Sequence, residues 1–145
     1  LLVVYGDNLI SFDLKRLLNV HREKLAQVTV GLFDREVSPH TGIAGGRVTV
    51  DDHHRITSFQ ELEGQDGFAG GFVNTGIYLI EREILAHIRP NMFFDFARDL
   101  FPVLIDDGQP LYAYLFGPKE FCLGIDTPKH FSAAQTIITS QGITI

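Results

Sequence analysis

Three short segments carry side chains suited to holding a phosphate-bearing, hydroxyl-bearing ligand: Tyr5-Gly6-Asp7, Val73-Asn74-Thr75-Gly76-Ile77-Tyr78 and Gly124-Ile125-Asp126-Thr127-Pro128. Each falls where a strand should end or turn. Asp7 follows an apolar run and a glycine, and in open α/β sheets ligands bind beyond the carboxyl ends of strands. A carboxylate there can bind Mg²⁺, which prefers oxygen ligands and keeps substrate phosphates in its shell. Asp126 is a second candidate for the same ion, since a divalent cation on a triphosphate needs about two protein carboxylates. Both also have a structural reading. Gly6-Asp7-Asn8 can be a turn with Asp7 capping backbone amides. Asp126 or Thr127 can be the N-cap of a helix opened by Pro128.

Asn74 lies in a strongly strand-like segment. A buried amide must be hydrogen-bonded, and a ligand hydroxyl can supply a partner. Gly76 permits close backbone approach at that point, or marks an edge or bulge. Glu61 ends a hairpin and can accept protons from two hydroxyls, although alone it reads as a solvated surface residue. His53-His54 sits in a turn with no third ligand nearby, which argues against a metal site. His21 falls on an apolar stripe and reads as a hydrogen-bonded core histidine. Cys122 has no neighbouring His to activate it. No Ser-His-Asp elbow and no phosphate-binding glycine loop is visible, and Ala44-Gly45-Gly46 does not join a strand to a helix.

The bulk composition excludes several classes. The chain has 145 residues, 45% apolar and 21% charged, the balance of one soluble globular domain. Its net charge of −6, with no extended basic cluster, argues against a nucleic-acid surface. One cysteine excludes a disulfide framework and predicts a reducing, cytoplasmic setting. No apolar stretch approaches the roughly 18 residues of a membrane span, and the signal-peptide pattern is missing. The chain opens at Leu1 inside an apolar run, which suggests a processed or truncated product.

The elements that must position these residues follow from pattern. Leu1 to Tyr5 reads as a strand buried on both faces, ended by Gly6. Asp13 can cap a helix over Leu14 to Ala26, with Leu14, Leu17, Leu18, His21 and Leu25 on one stripe. Val28 to Phe33 reads as the next strand, and this order predicts a right-handed parallel crossover. Thr49 to Asp51 and Arg55 to Gln60 form a hairpin around Asp52-His53-His54. Phe72 to Ile80 is a strand, and Glu81 to Ile88 a helix stopped near Pro90. Phe94 to Ile105 is mostly helical despite Pro102. Leu111 to Phe116 and Phe121 to Ile125 are strands, and Pro128 opens a last helix reaching Ser140. The expected fold is a single α/β domain over residues 1–145, with a mixed, mostly parallel sheet flanked by helices.

These segments, in this order, resemble the C-terminal two-thirds of the catalytic domain of the sugar-phosphate nucleotidyltransferases, which make nucleotide-diphosphate sugars. The resemblance covers nearly the whole chain. Val3-Val4-Tyr5-Gly6-Asp7 is similar to the family's hydrophobic-Gly-Asp segment, whose Asp binds Mg²⁺. Gly46 through Asp51, then Arg55-Ile56-Thr57-Ser58-Phe59-Gln60-Glu61, resembles the hairpin ending in Phe-x-Glu-Lys-Pro, whose Gly backbone and Glu contact the sugar. Val73 to Tyr78 resembles Asn-Ala-Gly-Ile-Tyr, whose Asn also contacts the sugar. Phe94 to Leu104 resembles the Phe-rich segment before a final strand. The resemblance implies the Rossmann-like nucleotide-diphospho-sugar transferase fold, Mg²⁺ held by Asp7 and Asp126, and a sugar site of Gly46, Glu61, Asn74 and Gly76. It implies a nucleoside triphosphate and a sugar 1-phosphate as partners, with a second copy of the chain as a further candidate.

Three departures stand against that pattern. The family's opening glycine-rich loop with its Arg, and the nearby Pro-Lys-Pro, are not in this sequence. Leu62 stands where the family has the Lys of Glu-Lys-Pro, which removes a charge for gripping phosphate. The usual Asp-x-Gly-Thr reads Gly124-Ile125-Asp126-Thr127, closer to the Met-Asp-Thr of the cytidylyltransferases; a two-residue shift keeps the same strand face. The expected chemistry is attack of a sugar 1-phosphate oxygen on the α-phosphorus of a triphosphate, without a protein nucleophile. The rival is a non-catalytic sugar-nucleotide-binding or regulatory subunit of the same fold. A sugar-transferring enzyme would carry an Asp-x-Asp, and none ends the first strand. This chain alone is expected to lack transfer activity, and the exposed side of the Leu1–Val4 strand is expected to be covered by another copy of the chain or by a missing segment.

Overall fold

A computed structural model describes residues 1–38, 46–60 and 71–141. Among them, the strands are β1 (Leu2–Val4), β2 (Asn8–Ser11), β3 (Val28–Asp34), β4 (Arg47–Val50), β5 (Ile56–Gln60), β6 (Phe72–Ile80), β7 (Leu111–Leu115) and β8 (Phe121–Gly124). The α-helices are α1 (Leu14–Glu23), α2 (Phe101–Asp106) and α3 (Pro128–Gln141).

The main sheet runs in the order β5-β4-β6-β3-β7, with β1 also on β6, while β2 and β8 form a separate antiparallel ribbon. The α/β class and the mixed sheet are as expected. The expected predominance of parallel pairing is not: among the described residues β3–β7 is the one parallel pair. The tight β4–β5 turn can only make an antiparallel pair, and a parallel pair needs a longer crossover.

Both β1 and β3 pair antiparallel to β6 at Tyr78 and Leu79, so they flank it and point the same way. β4 shares the β1 edge of β6. It pairs with Phe72 and Val73, whereas β1 pairs with Ile77 to Leu79. The edge over Asn74 to Gly76 therefore lies in the gap where β4 ends and β1 begins.

The core sits on β3 and β6. Val28, Val30, Leu32, Tyr78, Ile80, Phe101, Leu104 and Leu111 are all at most 1% exposed. Strand β1 is not the twice-buried strand its composition predicts. Val3 packs on the core, but Leu1, Leu2 and Val4 are 63%, 39% and 48% exposed. A three-residue strand joined to β6 along one edge has nothing on its other edge among the described residues.

Helix α1 starts as expected: the Asp13 carboxylate accepts from the Lys15 and Arg16 N–H groups. It ends at Glu23 rather than Ala26, because Leu25 takes a positive φ of 48°. Residues Arg82–His87 form a 3₁₀ segment rather than an α-helix. Pro102 reshapes the next helix. It falls in the first turn of α2, and the wider π turn Phe96–Leu100 precedes it, because proline cannot donate inside a regular α-helix. Among the described residues no helix is long and apolar enough to cross a membrane.

Candidate functional site

The site is built around an irregularity in β6. The β3–β6 register runs Val30↔Tyr78 and then Leu32↔Asn74, so β3 advances two residues while β6 advances four. The surplus is a bulge at Thr75–Ile77. Three residues make room for it. Gly31 lacks a side chain where a Cβ would lie 2.6 Å from Thr75 Oγ1. Thr75 turns its hydroxyl inward to donate to the Gly31 carbonyl at 2.8 Å and accept from the Ile77 N–H at 3.2 Å. Gly76 takes a φ of 75°, which a residue with a Cβ rarely adopts.

The bulge folds Asn74 back along the strand. On a regular strand Asn74 and Tyr78 would be about 13 Å apart. Here Asn74 Nδ2 donates to the Tyr78 hydroxyl at 2.8 Å, and Asn74 Oδ1 accepts from the Gly76 N–H at 3.0 Å. The amide was expected to need partners, and the chain supplies one at each end. An Asn amide can make about four hydrogen bonds, so half of its capacity remains for a ligand.

Gly76 does permit close approach, but the approaching group is Tyr5. A Cβ on Gly76 would lie 2.7 Å from Tyr5 Cγ, and the Tyr5 N–H donates to the Gly76 carbonyl at 3.1 Å. Gly46 is buried beside the other end of the bulge, where its carbonyl accepts from the Asn74 N–H at 3.4 Å. A Cβ there would meet the Gln60 carbonyl oxygen at 3.0 Å. Glu61 and Leu62 lie outside the described residues.

Asn8 and Cys122 pin the bulge to the β2–β8 ribbon, with Asn8 Nδ2 and Cys122 Sγ each 3.4 Å from the Thr75 carbonyl. That ribbon carries both aspartates. The Asp7 carbonyl accepts from the Ile125 N–H at 2.9 Å, one step beyond the Asn8↔Gly124 pair, so Asp126 follows the residue opposite Asp7. Both aspartates are exposed. Cys122 is buried, and burial together with the nearby Asp7 charge pushes its thiol up to about 12. It is therefore a thiol and no nucleophile.

Asp126 pairs with His130. His130 Nδ1 lies 2.7 Å from Asp126 Oδ1, and this contact, with the Asp126 and Thr127 N–H groups, holds the carboxyl below its ordinary range. The N-cap of α3 is Thr127, whose Oγ1 accepts from the His130 N–H at 3.1 Å. Asp126 is thus ionised and not consumed as the cap.

The carboxylates of Asp7 and Asp126 offer hard oxygen donors of the kind Mg²⁺ takes. Among the described residues no group of three or more His, Cys, Asp or Glu side chains could hold a metal. A cation here must complete its shell with water or with the phosphates of a ligand, as Mg²⁺ does.

Hydrogen bonds and chain neighbours link one run: Gly46, Asn74, Gly76, Tyr5, Asp7, Ile125, Asp126. Sequence reasoning missed Tyr5 as a member, and Asn8 and Tyr78 as residues that hold the run in place. The signal was present in the motifs themselves, since Tyr5 precedes Gly6-Asp7 and Tyr78 closes the Asn74 segment.

The nucleotidyl transferase family model matches residues 1–120, which include all of this run except Ile125 and Asp126. The chain belongs to that family. Among curated nucleotidyltransferases it is 37% identical over 111 residues to the UTP–glucose-1-phosphate uridylyltransferase of Synechocystis sp., covering 77% of this chain and 28% of the relative. It is 31% identical over 131 residues to the mannose-1-phosphate guanylyltransferase of Mycobacterium tuberculosis, covering 90% of this chain and 34% of the relative. The chain thus spans about a third or less of these relatives' lengths. Its fold matches the crystal structure of HddC from Yersinia pseudotuberculosis complexed with GMP-PN, at a TM-score of 0.66 and 18% identity, over 94% of this chain and 54% of that one.

Proposed function

We propose that this chain supplies the sugar-binding and metal-binding side of a sugar-1-phosphate nucleotidyltransferase, which makes a nucleotide-diphosphate sugar and pyrophosphate. The observation that carries the reading is the bulge at Thr75–Ile77, which is hydrogen-bonded to Tyr5 and Asn8 on either side of Asp7, while Asn74 just before it is hydrogen-bonded to Gly46. It links an amide with spare hydrogen-bonding capacity to a buried glycine carbonyl and to the turn that carries Asp7.

In this reading Asn74, the Gly46 backbone and Glu61 orient the sugar hydroxyls, because neutral hydroxyls are selected by several fixed hydrogen bonds, and Gly76 shapes the bulge that presents Asn74. Asp7 and Asp126 hold Mg²⁺ with the triphosphate, and the ion supplies charge neutralisation when bound. A sugar 1-phosphate oxygen forms the new bond to the α-phosphorus, and the bond to the β-phosphate oxygen breaks to release pyrophosphate. The chain contributes position and charge rather than a nucleophile. We place this chemistry in the cytoplasm, where Cys122 stays reduced. A second copy of the chain is a candidate cover for the exposed Leu1, Leu2 and Val4, checked by the oligomeric state in solution.

Leu62, standing where the family has Lys, favours a second reading: a non-catalytic subunit that binds sugar nucleotide. Pyrophosphate release by the full-length protein separates the two. UTP, GTP and ATP are each paired with glucose 1-phosphate and mannose 1-phosphate, with and without Mg²⁺. Release that needs both substrates and the metal supports the enzyme. Sugar-nucleotide binding without release by any pair supports the subunit.

A further inference from the structure

We propose that Tyr78, backed by Tyr5, is a positioning residue that fixes the Asn74 amide for the sugar, an inference that rests on the sugar-binding reading of Asn74. The Gly76 N–H can only donate, so the amide end facing it at 3.0 Å has to be the oxygen. The amide nitrogen then faces the Tyr78 hydroxyl, which accepts from it at 2.8 Å. Removing that acceptor leaves the amide held at its oxygen end only.

Tyr78 is built to stay put. It is fully buried, and its ring meets Phe101 edge-on at 5.0 Å and Tyr5 at 5.6 Å between centroids. Burial, with the Tyr5 phenol beside it, pushes the Tyr78 hydroxyl's pKa up, so it stays protonated. Tyr5 is anchored by its backbone bond to Gly76 and is followed by Gly6 and Asp7. Ring packing therefore links the turn that carries Asp7, through Tyr5 and Tyr78, to the amide. A buried tyrosine could serve packing alone, but a phenylalanine would pack as well. The hydroxyl has a use only if the amide's orientation matters.

The test is steady-state kinetics of the full-length enzyme with Tyr78→Phe, Asn74→Ala and the double variant, using the most active pair from the panel above. Tyr78→Phe keeps the ring and removes the acceptor. The expected result is a sugar-1-phosphate KM raised about fivefold, the size of one neutral hydrogen bond, with the triphosphate KM unchanged. In the Asn74→Ala background the same substitution should have no further effect, because it acts through that amide. Tyr5→Phe, which removes the second phenol, should shift the same KM in the same direction. Thermal unfolding of each variant identifies any loss of fold.

Equal changes in both KM values, or fully additive effects of Tyr78→Phe and Asn74→Ala, would overturn the positioning role while leaving the sugar site intact. An Asn74→Ala variant that leaves the sugar KM unmoved, or a wild type without release, would overturn the sugar-binding reading, and this inference with it.

Discussion

The carbonyl of Asp7 accepts a hydrogen bond from the N–H of Ile125 at 2.9 Å, which sets the first carboxylate-bearing turn beside the last across 118 positions of chain. The backbones of the two turns meet at the end of the β2–β8 ribbon rather than on an edge of the main sheet. A ribbon end suits a cation site, since its exposed backbone leaves open space for phosphates and water.

If Asp7 and Asp126 share one ion, Asp7→Asn and Asp126→Asn should each lower kcat/KM by roughly 100-fold and raise the Mg²⁺ concentration needed for half-maximal rate. The double variant should lose less than the product of the two, because the second substitution acts on a site already broken. The measurement is pyrophosphate release across a Mg²⁺ titration, with Mn²⁺ binding followed by electron paramagnetic resonance. An Asp126→Asn variant with unchanged metal dependence would reduce Asp126 to a partner of His130.

Gly76→Ala should destabilise the fold by about 1–3 kcal/mol from its positive φ alone. The Cβ contact at 2.7 Å from Tyr5 adds to that cost. Tyr5→Ala in the same chain should restore the steric part and not the backbone part. Thermal unfolding of the two single variants and the double variant separates them. A Gly76→Ala protein as stable as the parent would mean that the bulge relaxes freely.

Much of the fold is legible in the sequence, for reasons tied to particular elements. Strand β6 runs from Phe72 to Ile80 as expected, its apolar ends Phe72-Val73 and Ile77 to Ile80 carrying it across the polar Asn74-Thr75-Gly76. Asp13 and Pro128 mark the starts of α1 and α3 through cap chemistry that acts within one turn. What escaped was set by distant neighbours. Strand β2 is four residues whose pairing is specified by β8, more than a hundred positions on. The apolar composition of Leu1–Val4 matches a buried strand, yet exposure depends on what lies alongside. At the site, the acidic and amide side chains were legible because their chemistry is rare in strands. The Tyr78 phenol was not, because it looks like an ordinary core residue until the bulge brings the Asn74 amide to its hydroxyl.

Glu120 should make the fold sensitive to acid. Burial pushes its carboxyl up, but the Gly117 N–H, the Tyr114 hydroxyl, the Asp13 N–H and the Arg16 guanidinium more than offset this and hold it below its ordinary range. These bonds tie the β7–β8 turn to the start of α1. A carboxyl depressed in the folded state contributes stability that is present above its unfolded value, about 4.3, and is lost as pH falls through the folded value. Glu120→Gln should cost about 1–3 kcal/mol at neutral pH and flatten the stability curve below about pH 4. Denaturant unfolding at several pH values checks it; parallel curves for the two proteins would contradict it.

The central claim is a division of labour, in which the amide at the bulge serves the sugar and the aspartates on the ribbon serve the metal and triphosphate. The most direct test is the pair of KM values for Asn74→Ala in the full-length enzyme. The account predicts a sugar-1-phosphate KM raised about tenfold and a triphosphate KM within twofold of the parent, since Asn74 loses neutral hydrogen bonds to one substrate only. Equal rises in both would contradict it and leave Asn74 as a structural pin of the bulge.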